Sequence, residues 1–308
     1  MLFVTFLVYV ALRLGSDPAA SYARANPRAS QAKIETYKQV NGLYTGAGGY
    51  VRGYFQWLGS FIQGPDHWPR SIKGRSLVWR PLRYSIFNTL RLAGLAAVFG
   101  IGLGLTFGII ASLRPGGWLD TIINTSAFIL GSIPPFVSAV FLQLIFAIEL
   151  GWFPPSGVYP AGHEGFDLGL MIKYLVLPVS VVAIQTIAGY SRYMRASLLD
   201  VKSSDYMRTA RAKGISEWRV LTRHAVRNAL VPVVTLLGLD IGQLIGGLII
   251  TEAIFEYPGM GRFFLQASAN GDFPQLMPYM VIIVLSVLIF NLLADLCYAT
   301  LDPRIRLD

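Results

Sequence analysis

Long apolar runs alternate with polar segments along the 308-residue chain. Residues 92–112, 122–148, 174–191, 229–251 and 277–296 form five such runs of 18 to 27 positions, with at most one acid each. A bilayer's hydrocarbon core is about 30 Å thick and takes roughly 20 helical residues to cross. The pattern therefore predicts membrane-spanning helices. A sixth run, Met1 to Leu14, reaches only about 21 Å at about 1.5 Å per residue. Its first twelve residues carry no Lys or Arg, whereas a secretory signal begins with positive charge. We expect it to be a first span that is short at its N-terminal end.

Composition agrees with the pattern. The chain is 54% hydrophobic and 14% charged, where soluble domains are about a quarter charged. The formal charge of +9 would suit a nucleic-acid partner, but the positions of the charges argue against one. The loop 151–169 has no Lys or Arg, the loop 253–276 only Arg262, the loop 193–229 eight, and the tail 302–308 has Arg304 and Arg306. The positive-inside rule then places 193–229 and both termini in the cytoplasm. The segment 15–83 falls outside with ten Lys or Arg, and segments longer than about 60 residues are largely exempt from the rule. The single cysteine, Cys297, excludes an internal disulfide and any Cys-rich metal site.

The segment 15–83 mixes Gly and Pro with Tyr44, Tyr50, Tyr54, Phe55, Trp57, Phe61, Trp68 and Trp79. So many aromatics exclude a disordered linker. The segment is expected to fold as a small cap or to lie on the membrane interface, where Trp and Tyr collect.

The most basic part of the chain is "DYMRTARAKGISEWRVLTRHAVRNALVP", Asp205 to Pro232. Ser203, Ser204 and Asp205 are N-cap types, and Gly214 supplies the positive φ that ends a helix. Ser216 then caps a second helix, with Trp218, Leu221, Ala225 and Ala229 on one face and Arg219, Arg223 and Arg227 on another. Pro232 is expected in the first turn of the next span. The result is a short helix, a glycine break, an amphipathic helix along the membrane surface and a turn into the bilayer. Ala210, Ala212 and Gly214 leave little bulk, which suits docking into a partner's groove. Lipid head groups are the competing partner for the arginine stripe.

"DYMRTARAKG" followed by "RHAVRNALVP" resembles the cytoplasmic signature of ATP-binding-cassette importer permeases, in the dipeptide and oligopeptide branch (B-type subunit). "SIPPFVSAVFLQLIFAIELGWFPPSG" from Ser132, "LPVSVVAIQTIAGYSRYMRASLLDV" from Leu177, "TEAIFEYPGMG" from Thr251 and "DLCYATLDPRIR" from Asp295 are similar to the same branch. The match is specific from about Tyr84 to Arg306 and weaker over 15–83. At the start the chain departs from the pattern: relatives carry a basic stretch and a full first span before Arg13-Leu14. The family's EAA motif, Glu-Ala-Ala-x-x-x-Gly, falls here with Gly214 as its glycine and Ala210 as its second alanine. Arg208 and Thr209 stand where Glu and the first Ala would be.

The resemblance implies an all-α polytopic membrane protein of about six transmembrane helices, with the type I importer permease fold. Its parts would be a short first helix over 1–14, a long extracytoplasmic segment over 15–83, a transmembrane domain over 84–301 containing the loop 193–229, and a cytoplasmic tail over 302–308. It also implies a second permease subunit, two ATPase subunits that bind ATP and Mg²⁺, and an extracytoplasmic substrate-binding protein in a bacterial inner membrane. The coupling residues would be Asp205, Tyr206, Arg208, Thr209, Ala210, Arg211, Lys213 and Gly214.

Polar groups deep in a bilayer are costly and invite a functional reading. Asp240, Gln243 and Gln185 are candidates for a translocation path, with interhelical hydrogen bonds as the alternative. Glu252 is expected at the interface, and Pro258, Gly259 and Gly261 in a tight turn; with Glu252 they would form an outer gate. Asp295 is expected to pair with a basic loop residue. Gly100, Gly102, Gly104 and Gly108, like Gly238, Gly242 and Gly246, read as close helix packing. Pro134-Pro135 and Pro178 should kink or break their spans, which is tolerated only where freed backbone faces protein or water.

No GxxxxGK[ST] loop, HExxH or GxSxG occurs, so the chain is not expected to hydrolyse ATP or to carry catalytic residues. His67, His163 and His224 are scattered, and no metal or other cofactor is expected on this chain. Peptide import is the function implied; the same importer class carrying haem, nickel or sugar is an alternative. A secondary transporter would show inverted repeats and several buried carboxylates, and an intramembrane enzyme would show paired catalytic groups. A receptor or scaffold would use the basic loop for lipid alone.

Overall fold

The structure is a computed structural model. It describes residues 2–15, 17–72, 77–160, 162–163 and 165–301, with backbone alone at 47, 235, 238–239, 241–247, 294–295 and 297–301. Among the described residues the regular elements are all helical. Helices α1 (Leu2–Gly15), α2 (Pro18–Ala25), α3 (Gln31–Val40) and α4 (Ala47–Ile62) precede the long α5 (Trp79–Leu113). Next come α6 (Trp118–Ser132), α7 (Pro135–Leu142, widening to π-type turns over Gln143–Glu149) and α8 (Leu168–Ser203). The short α9 (Asp205–Ala212) and α10 (Glu217–Arg219) follow, then wide turns over Val220–Val226. The chain ends with α11 (Arg227–Gly247), α12 (Ile249–Ile254), α13 (Met260–Ala269) and α14 (Phe273–Leu301).

Three described stretches are long and apolar enough to cross a bilayer: Trp79–Leu113, Leu168–Ser203 and Phe273–Leu293. The number rises to five if each bent pair is one span, α1 with α2 at 55° and α6 with α7 at 98°. The expected run 229–251 lies mainly in α11, a helix of 21 residues.

The chain divides into two compact units, one of residues 1–89 with 258–287 and the other of 90–257 with 288–308. In the first unit the aromatics of the 15–83 segment form a true core, in which Tyr9, Tyr54, Trp57, Phe273 and Met277 are all buried. The Tyr9 hydroxyl donates to the Gly42 carbonyl at 3.0 Å, and Thr5 and Tyr54 share a hydroxyl hydrogen bond of 2.7 Å. Gly42 takes a positive φ of 64°, which costs little only for glycine. Trp57, Phe61 and Trp68 stack in series at 5.2 and 4.9 Å. This arrangement buries large apolar area while the rings keep favourable offsets.

In the second unit α5 lies against α8 through glycine. A Cβ on Gly100 would stand 2.6 Å from Thr186, on Gly104 2.8 Å from Tyr190, and on Gly108 2.6 Å from the Ser191 carbonyl. Gly102, expected among them, has nothing within 4 Å; it sits two residues off that row and so faces away. The Gly238, Gly242 and Gly246 series lies outside the described side chains.

Pro134 breaks its helix, as residues before proline disfavour the helical region: Ile133 is extended at φ −77°, ψ 123°. Pro135 then starts α7 at a position where a missing N–H costs little. Pro178, by contrast, lies inside the unbroken α8, itself buried among Leu175, Leu177, Val179 and Val181. Packing along this stretch outweighs the one hydrogen bond that proline removes.

Candidate functional site

The basic loop is built from its own cap upward. Ser204 takes the N-cap position of α9, yet its side chain makes no cap hydrogen bond there; its hydroxyl donates back to the Val201 carbonyl at 2.6 Å. Gly214 adopts φ 74°, and its N–H donates to Arg211 at 2.9 Å. The reversal brings Glu217 next to Arg211, whose Nε donates to its carboxylate at 3.0 Å. Both groups are substantially exposed, so the pair orients the turn more than it stabilises it.

Met207 and Ala210 of α9 are buried, in one cluster with Tyr190, Met194, Leu198, Val220 and Ala225. Ala210 therefore packs against the protein's own helices and does not contribute side-chain surface to a partner's groove. Its neighbours Asp205, Tyr206, Arg208, Thr209, Arg211, Ala212, Lys213 and Gly214 are exposed. The tip is thus an exposed surface rich in cations.

After the tip, the expected separate surface helix and turn into the bilayer are absent. Helical backbone continues from Glu217 through the wide turns into α11, with Val226 and Arg227 both in the right-handed region. Pro232 consequently lies inside α11 and not at its start. The wide turns also shift the buried face. Val220 and Ala225, five apart, are buried, followed by Ala229 and Val233 at steps of four, while Trp218 is 73% exposed. The wide turns rotate Trp218 off the expected face, while the other three members stay on it: Ala225 and Ala229 are buried and Leu221 packs against the same cluster. Arg219, Arg223 and Arg227 are exposed, as a solvated stripe requires.

Two contacts hold this end of the second unit. Lys202 Nζ donates to the Ser112 carbonyl at 2.5 Å, and Ser197 donates to the Ala229 carbonyl at 2.8 Å. A third was not found from sequence. Asp120, only 4% exposed, accepts from Arg195 Nε at 2.5 Å and Nη2 at 2.7 Å, and from the Gly116 N–H at 2.8 Å. Asn124 completes the shell. The available signal was an acid at the start of one span and, late in another, the Arg192 and Arg195 pair.

The path candidates separate. Asp240 is exposed on α11 and accepts a hydrogen bond of 2.7 Å from the Tyr190 hydroxyl. Gln185 instead serves the helix break. Its Nε2 donates to the Ile133 carbonyl at 2.8 Å and the Leu130 carbonyl at 3.3 Å, beside the break where Pro134 has no N–H to give; the Leu130 carbonyl also accepts from the Ile133 N–H at 3.4 Å. Gln243, and Asp295 beyond it, lie outside the described side chains.

Glu252 is fully buried within the protein, and its carbonyl accepts from the Tyr257 N–H at 2.9 Å. Glu256, at φ 48°, makes the turn. Pro258 accepts from Asn88 at 3.1 Å. Gly259 takes the N-cap position of α13, within which Gly261 is buried.

A family model described as "Binding-protein-dependent transport system inner membrane component" matches residues 104–307. The "Oligopeptide transport system permease protein AppB" of Bacillus subtilis is 37% identical over 99% of this chain and 95% of its own length. The chain belongs to this family. A "Putative peptide permease protein" of Brucella suis biovar 1 is 34% identical, covering 99% of this permease and 95% of its own length. The "Glutathione transport system permease protein GsiC" of Shigella flexneri serotype 5b is also 34% identical, over 98% and 94%. Among solved structures, the inward-facing MetNI methionine ABC transporter matches with a TM-score of 0.58 at 17% identity, over 73% of this permease and 98% of that chain. A crystal structure of an amino acid ABC transporter with histidines gives 0.55 at 16%, over 71% and 94%. These likenesses establish the type I importer permease fold. As a member of the family the chain is a multi-pass inner-membrane subunit that works with ATPase and binding-protein partners.

Proposed function

We propose that this permease carries peptides. The observation that supports this most is near full-length similarity to oligopeptide and peptide permeases, at 33–37% identity over 99% of the chain. In this reading it pairs with a second, different permease subunit and with two ATPase subunits, and it receives cargo from an extracytoplasmic binding protein. The chain hydrolyses nothing itself and binds no cofactor, since ATP and Mg²⁺ sit on the ATPases. Both termini and the loop 193–229 lie in the cytoplasm, and the 15–83 segment lies outside.

The exposed residues of α9 and its glycine turn form the contact with an ATPase. The tip is anchored by Met207 and Ala210 inside the bundle, so a pull or push on α9 is passed to Tyr190, Met194 and Leu198 of α8. ATP thereby biases a bistable bundle between inward and outward access. Asp240 lines the path, with Gln243 as a second candidate. Gln185 acts beside it by holding the α6–α7 break. Glu252 with Pro258, Gly259 and Gly261 forms the outer gate.

The deciding experiment is a tagged pull-down from native membranes in mild detergent, with co-purifying chains identified by mass spectrometry. The reading expects two ATPase copies, a second permease and ATPase activity that rises with the cognate binding protein and peptide. Recovery of the chain alone, or as a homodimer without ATPase, would sink it.

A further inference from the structure

A cleft of about 510 Å³ lies in the first compact unit, within the 15–83 segment. Its lining includes Lys33, His67 and Arg70 at exposed positions and Tyr37, Asn41 and Trp68 at buried ones. No Asp or Glu lines it. Among the described residues neither Lys33 nor Arg70 is in an ion pair. The cleft therefore offers two cations without an ion pair at its rim, while behind its wall the buried Asp272 carboxylate accepts from the Ser71 hydroxyl at 2.5 Å and the Ile72 N–H at 3.2 Å.

Tyr37 is 9% exposed and Asn41 4%, yet the Tyr37 hydroxyl and the Asn41 Oδ1 have no hydrogen-bond partner. The Asn41 amide is oriented by its own Nδ2, which donates to the Tyr37 carbonyl at 2.8 Å, leaving Oδ1 as the free acceptor. Buried polar groups of this kind are rare in native folds and call for a partner. Burial pushes the Tyr37 phenol up from its ordinary range, so it remains a donor. Beside them Tyr22 stacks on Tyr37 at 4.2 Å, and Trp68 adds a second ring face.

We propose that this cleft binds a short peptide by its C-terminal carboxylate. Lys33 and Arg70 pair with the carboxylate, Asn41 Oδ1 accepts from a peptide N–H, and the Tyr37 hydroxyl donates to a peptide carbonyl. The rings of Tyr22 and Trp68 take an apolar side chain. The volume falls within the usual range for small-ligand pockets and suits two or three residues. The choice of a peptide over other carboxylate-bearing amides rests on the importer reading above.

The test uses the full chain in nanodiscs, titrated calorimetrically with trialanine and with trialanine amide. Trialanine should bind, and both amidation and the double change Lys33→Gln/Arg70→Gln should weaken binding about tenfold or more. Both residues are exposed, so the double variant should melt with the wild type. Absence of trialanine binding, or equal titration of amide or variant, overturns the site. So does loss of binding-protein association in the variant with trialanine titration unchanged, which would make the cleft a protein-docking surface. ATP-driven uptake by the assembled complex is scored separately: uptake without cleft binding removes only this site, and cleft binding without uptake removes only the importer reading.

Discussion

Asp120 and Arg195 meet through two hydrogen bonds, 2.5 and 2.7 Å long, that join the first turn of α6 to the later part of α8. The acid is 4% exposed and the arginine 28%. Removing one member of a buried pair costs about 3–5 kcal/mol because the other is left charged and alone. Arg195→Ala should therefore be the worse variant, since it strands the buried carboxylate. Asp120→Ala leaves an arginine that reaches solvent. Thermal unfolding in detergent should rank them in that order, and an Asp120→Ala/Arg195→Ala double variant should recover part of the loss.

The α5 glycines give a contrast within one helix. Gly108→Ala would place a methyl 2.6 Å from the Ser191 carbonyl and 2.7 Å from the Met194 Cβ, contacts that only backbone movement relieves. Gly102→Ala meets nothing within 4 Å and gains up to about 1 kcal/mol of helix propensity. Folded yield by fluorescence-detected size exclusion should fall for the first and hold or rise for the second. Equal behaviour would show that the α5–α8 contact is looser than the structure has it.

On the coupling tip, surface and support should part company. Charge reversal at Arg208, Arg211 and Lys213 should leave folded protein at wild-type levels while ATPase co-purification drops. Gly214→Val forces a β-branched residue to φ 74°, at about 1–3 kcal/mol of strain, and should distort the tip and reduce uptake. Ala210→Glu buries a carboxylate in the α8–α9 cluster and should lower the amount of folded permease itself. Quantitative blotting of membranes beside an uptake assay separates the two classes.

Tyr190 and Gln185 make opposite predictions about the path. Tyr190→Phe frees the Asp240 carboxylate and should change uptake of cationic against neutral peptides, with little change in stability. Gln185→Leu removes the side-chain donor to the Ile133 carbonyl, and one of two donors to the Leu130 carbonyl, at the α6–α7 break, at about 1–3 kcal/mol, and should lower the melting temperature without altering cargo preference. A cargo shift from Gln185→Leu would put that residue in the path.

The spans were legible because a bilayer demands about 20 apolar residues in a row, and local composition alone supplies that signal. The break at Pro134-Pro135 and the turn at Gly214 were equally legible, since each is a constraint on one or two residues' φ and ψ. The aromatics of 15–83 announced a folded segment for the same local reason. Tertiary structure decided what depended on neighbours distant in sequence. It turned Ala210 inward, because Met207 and Ala210 fit the face offered by α8. It carried α11 back to Glu217 through wide turns, which moved the buried stripe off Trp218. It paired Asp120 with Arg195 across 75 positions, and it made Gln185 a support for a broken helix. Periodicity and propensity act over one turn of chain, whereas which face is buried and which polar groups pair is settled only when helices meet.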